Sequence, residues 1–158
     1  MTPIGALEAS AIGVALRDVS WLFAAVKAVH LAGIAMLAGT IAVLDLRLLG
    51  LRRSVPVRRL AGRILPWTAA SFFLIVPSGL AMFVANAGEL IANPVFAVKI
   101  CLILLAGANA GIFHAGVFRR AARWDVDVMP PMAARAAAAV SLAMWFSVIA
   151  CGRSLAQV

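Results

Sequence analysis

His30 and His114 are the only histidines in the chain, and each lies in an apolar stretch long enough to cross a bilayer. An ionisable side chain at such depth is costly, so a functional role is its default reading. Taking Asp18 and Lys99 as marks of the outer interface, His30 lies twelve residues in and His114 fifteen. At ~1.5 Å per helical residue the depths are ~18 and ~22 Å, nearly level. Two imidazoles level with each other on helices diagonal across the bundle core would clamp a flat cofactor from both sides, and a b-type haem with two axial histidines is the natural candidate. Gly33 follows His30 by one turn, and Gly107, Ala110 and Gly111 precede His114 on its own side. Small residues at those places would leave room for a macrocycle.

Other chemistry stays open for the same residues. Gly107 and Gly111 also form the G-x-x-x-G pattern that brings membrane helices together without a ligand. Asn109 and either histidine could serve as hydrogen bonds between helices. Transient metal binding or proton transfer is a further reading, although no third histidine completes a metal triad. Lys27, on the His30 face, is expected to snorkel outward or to place a charge beside a cofactor, and Lys99 carries the same ambiguity. Asp45 and Arg47 are expected to join an interfacial ion network with Arg119 or Arg120. Met36, Met82 and Met144 suit soft Cu(I) but read first as core filler, and Cys101 and Cys151 read as small buried hydrophobes. The chain holds no nucleophile–base–acid set, no phosphate loop and no carboxylate pair in an apolar segment. At most it is an oxidoreductase-type electron carrier rather than a hydrolase or transferase.

The elements that must position these residues are membrane helices. Of 158 residues 65% are hydrophobic and 13% charged, with mean hydropathy +1.05, far from a soluble domain. Four segments reach the ~20 apolar residues of a span: about 20–44, 66–87, 95–118 and 132–152. They predict one domain over 1–158, an all-α, up-down-up-down four-helix bundle. Pro66 suits the first turn of the second helix, Asn93-Pro94 restarts the chain before the third, and Pro77-Ser78-Gly79 predicts a kink. Residues 1–16 suggest a short helix at the membrane surface. Trp21, Trp67 and Trp124 read as interfacial belt residues, whereas Trp145 is mid-span.

The net charge of +8 does not point to nucleic acid, because the arginines gather in two connectors beside apolar runs. One holds Arg47, Arg52, Arg53, Arg58, Arg59 and Arg63, and the other Arg119, Arg120, Arg123 and Arg135. The positive-inside rule then places both clusters in the cytoplasm and both termini in the periplasm of a bacterial inner membrane.

Several strings resemble a family of small four-span bacterial membrane proteins of unknown function. They are His30-Leu31-Ala32-Gly33, Asp45 through Leu51, Pro66-Trp67, Asn93 through Lys99, Asn109 through His114, Ser141 through Trp145, and Gly152-Arg153. The resemblance covers nearly the whole chain and implies one compact domain with both histidines in its pattern; Lys27 departs from it. In architecture alone the chain is similar to four-helix b-type cytochromes and to copper-resistance membrane domains. The resulting expectation is a bilayer-embedded haem b protein passing electrons between a quinone or redox partner and another acceptor. A metal-handling or transport protein and an accessory subunit are the alternatives, and a homo-oligomer stays open.

Overall fold

The computed structural model describes residues 2–156. Two short helices open the chain, α1 (Pro3–Glu8) and α2 (Ala11–Asp18). Thr2 and Ser10 begin them by accepting from the amides of Gly5 and Gly13, as N-cap hydroxyls do. The segment is tied to the bundle at its far end. Glu8 accepts from the Gly88 amide at 2.7 Å, and Arg17 donates to the Ala85 carbonyl at 3.0 Å.

Four helices long and apolar enough to cross a membrane follow: α3 (Ser20–Leu48), α4 (Val57–Ala85), α6 (Pro94–Ala115) and α7 (Met132–Leu155). The short α5 (Ala87–Ala92) sits between α4 and α6, and a 3-10 turn (Val117–Arg123) follows α6. The protein is an all-α four-helix membrane bundle.

One boundary differs from expectation. α4 begins at Val57, nine residues before Pro66, and runs through both Pro66 and Pro77. A proline inside a helix removes a single backbone donor. Here the extra turns compensate by burying Val57 and Ala61 while Arg58, Arg59 and Arg63 stay exposed.

The helices pair as two hairpins, α3 on α4 and α6 on α7, joined by α3 against α7. No Cα of α6 comes within 8 Å of one in α3 or α4, so the bundle is open along its α4–α6 side. At the terminal end the side chains of these helices do meet, where the rings of Phe83 and Phe96 stack 5.8 Å apart. The α3–α4 seam follows membrane packing logic, with small and hydroxyl residues where helices approach. A Cβ added at Gly33 would meet Ile75 at 2.8 Å and Leu74 at 3.0 Å. Farther along, Thr68 donates to Thr40 across the seam at 3.1 Å.

The opposite end of the bundle, which carries both arginine clusters, holds the densest core. Leu44, Leu48, Val57, Phe113, Trp124 and Ala134 belong to one buried cluster. Trp124 is 6% exposed, so it is a core residue and not a belt residue, whereas Trp21 and Trp67 are 70% and 63% exposed. The reason is local: the second connector folds back over the helix ends and carries its indole inward.

Arg47 holds that connector in place. Its guanidinium donates to the carbonyls of Val55 at 2.7 Å and of Arg53 and Asp125 at 3.0 Å. It therefore binds backbone rather than joining an ion network with Arg119 or Arg120. Gly50, at φ +107, makes the turn that begins this loop, and a Cβ there would also meet Met129.

Candidate functional site

The two histidines do not stand level. Phe113, beside His114, packs in the cluster that holds Leu44 and Leu48 at the arginine end of α3. His30 lies fourteen residues earlier on α3 than Leu44, which is ~21 Å along the helix axis. One cofactor cannot touch both imidazoles. The sequence estimate went astray in taking Asp18 and Lys99 as equivalent reference points. Lys99 is five residues inside α6, and its charge is felt at His30.

His30 is half-buried against the middle of α4. Its Nδ1 lies 3.1 Å from the Ile75 carbonyl and 2.9 Å from Ser78 Oγ. The Ser78 hydroxyl hydrogen goes to the Leu74 carbonyl, and a carbonyl only accepts. Nδ1 must therefore carry the proton, which leaves the Nε2 lone pair free. Gly79 makes the seat: a Cβ there would stand 3.0 Å from Cε1 of the ring. Pro77-Ser78-Gly79 thus receives the histidine edge-on while α4 continues through it.

Lys99 is the second polar group of this level. Its ammonium lies over Gly152 of α7, with Nζ 3.6 Å from where a Cβ would be. It stands within Coulombic range of Cys151, and no carboxylate stands beside it among the described residues. An imidazole lone pair and an ammonium thus stand within electrostatic reach of each other inside the apolar part of the bundle. Among the described residues there is no group of three or more His, Cys, Asp or Glu side chains that could hold a metal ion.

His114 has different surroundings. It sits one residue from the end of α6, between the rings of Phe113 and Phe118 at 5.2 and 5.1 Å, both edge-on. Gly33 serves the α3–α4 contact rather than a pocket. Gly107 and Gly111 are exposed, and a Cβ at either would meet nothing within 4 Å. Within one chain they line no pocket with His30 and bring no helix close. Asn109 donates to the Ala137 carbonyl at 3.0 Å, joining α6 to α7 as its type suggested.

Sequence reasoning missed the anchoring of His30 by Ile75 and Ser78. It did place Lys99 inside the third span, since a helix that restarts at Asn93-Pro94 carries that residue past its first turn.

The fold and these sites define a multi-pass, all-α membrane protein. The chain belongs to a family of unknown function, DUF6644, whose model matches residues 6–157. No curated protein and no solved structure matches it.

Proposed function

We propose that the protein is a membrane redox carrier that holds haem b through His30 and passes electrons between a quinone or redox partner and another acceptor. The observation that carries this reading is the anchored Nδ1–H of His30 with its free Nε2. Ligating histidines characteristically donate their other ring nitrogen to a carbonyl or carboxylate, which fixes the tautomer and raises ligand basicity. Lys99 supports the same reading. Haem b offers iron to a lone pair and propionates to an ammonium, and this level of the bundle provides one of each.

The fit ends there for a six-coordinate, two-histidine haem, because His114 lies too far along the bundle. The proposal therefore has His30 as the sole protein imidazole on the iron, with a high-spin rather than a low-spin spectrum. When bound, the haem supplies a one-electron couple. The chain contributes the ligand, its orientation through Ile75 and Ser78, and the charge of Lys99. The proposal also places the protein in a bacterial inner membrane, with the termini periplasmic and the arginine connectors cytoplasmic. The clustering of arginines in two connectors supports that orientation.

A second reading rests on the Gly79 seat, which suits a histidine that only locks α3 to α4 in an accessory subunit. A transport role draws less support, since α4 runs continuously through Pro77. An absorption spectrum of the full-length protein, expressed with ample haem, separates the readings. We expect a Soret band that His30→Ala removes and His114→Ala leaves. A wild-type protein without the band, or equal loss in both variants, overturns the haem assignment.

A further inference from the structure

The arginine end carries a feature the redox reading does not use. An open cavity of about 640 Å³ lies where the 3-10 turn meets the start of α7, lined by Ala115, Arg119, Arg120, Arg123, Trp124 and Pro131 among others. Arg119, Arg120 and Arg123 come from one short turn and are exposed, with their charge concentrated at the mouth of the cavity. Arginine forks match phosphate oxygens bidentately, and basic pockets beside membrane helices suit anionic headgroups.

The apolar side of the same cavity continues along the bundle. Ala115 lines it, and Gly111 and Gly107 follow at four-residue steps on α6. All three are exposed, and the two glycines have nothing within 4 Å of an added Cβ. A row at i, i+4 on a helix forms a continuous groove. Here the groove has no side-chain walls from another helix and leads directly from the arginines into the membrane-spanning part of α6. Its chemistry is phosphate at one end and hydrocarbon along the rest.

We infer that this cavity and groove together bind an anionic phospholipid, its phosphate held by Arg119, Arg120 and Arg123 and one acyl chain laid over Gly111 and Gly107. Free phosphate would use the first part of the site alone, and a zwitterionic lipid would fill the second while its ammonium offsets the pull of the arginines on its phosphate, so both parts can be tested separately.

The experiment is native mass spectrometry and thermal melting of the full-length protein in detergent, titrated with phosphatidylglycerol, phosphatidylcholine or inorganic phosphate. Phosphatidylglycerol should bind roughly tenfold or more tighter than phosphatidylcholine. Joint replacement of Arg119→Gln, Arg120→Gln and Arg123→Gln should erase that preference. Arg59→Gln with Arg63→Gln, an equivalent loss of exposed charge on α4, should keep it. Gly111→Leu fills the groove without touching the arginines; it should weaken both lipids and leave phosphate binding unchanged. Equal loss of preference in the α4 variant overturns the site in favour of diffuse charge. Phosphatidylglycerol binding unchanged by Gly111→Leu overturns the groove and leaves a phosphate site alone.

Discussion

The two ends of this bundle use polar residues in opposite ways. At the arginine end, Arg47 is 3% exposed and donates to three carbonyls, drawing both connectors over a core of Leu44, Phe113 and Trp124. Toward the termini, the Nε2 of His30 and the ammonium of Lys99 are left without a carboxylate or carbonyl to occupy them. Arg47 gives three hydrogen bonds to backbone and so maintains architecture, although its Nη1 and Asp45 Oδ2 have no partner among the described residues. His30 has one ring nitrogen anchored on α4 and the other free, whereas His114 has only aromatic neighbours, and this difference is why the proposal rests on His30 rather than His114.

Trp124→Ala tests the architectural end hardest. It empties the centre of the core cluster, and a buried tryptophan truncated to alanine costs ~3–5 kcal/mol. Unfolding in a detergent–SDS series should show that loss while the environment of His30, read by its imidazole NMR signals, stays as in the parent. Coupled loss at both places would break the contrast between the ends.

Gly33→Ala presses on the other end. The new methyl meets Ile75 and Leu74 at 2.8 and 3.0 Å, one turn from His30. Overpacking of this kind costs ~1–3 kcal/mol, and separating α3 from α4 lengthens the bond from Nδ1 to Ile75. The same unfolding series gives the cost, and the histidine signals should shift here although they do not for Trp124→Ala.

Ser78→Ala is the smallest change. Polar contacts between membrane helices average ~0.6 kcal/mol, and Ile75 still accepts the Nδ1 proton. Stability should drop by about that amount with the tautomer retained, as nitrogen-15 shifts of the ring would report. A switch of the proton to Nε2 would show that Ser78, not Ile75, sets the tautomer.

Four spans and the helix-to-helix role of Asn109 were legible in the sequence because length, hydropathy and residue type determine them locally. The depth of the histidines was not. It depends on which residue marks the membrane boundary, and a lysine inside a bundle has the same local context as one that snorkels from an interface. Trp124 was misjudged for a related reason: a tryptophan between arginines and a proline-rich loop looks interfacial until the loop is known to fold inward. Pro66 was read as a helix start because local chemistry permits it, yet the burial of Val57 and Ala61 outweighed one missing donor. The D-x-R-L-L-G-L string did mark something specific. Its arginine and glycine build the connector rather than a reactive centre.

The hairpin arrangement bears on how the chain is made. Contacts within α3–α4 and within α6–α7 are close in sequence, and the two pairs meet chiefly through α3 and α7. The first hairpin can therefore close in the bilayer while the second is still emerging from the ribosome, and the loop carbonyls of Val55 and Arg53 already satisfy part of Arg47 before Asp125 exists. In that order of synthesis the last bond of Arg47 is made only when the second connector arrives, so it ties the second hairpin to the first.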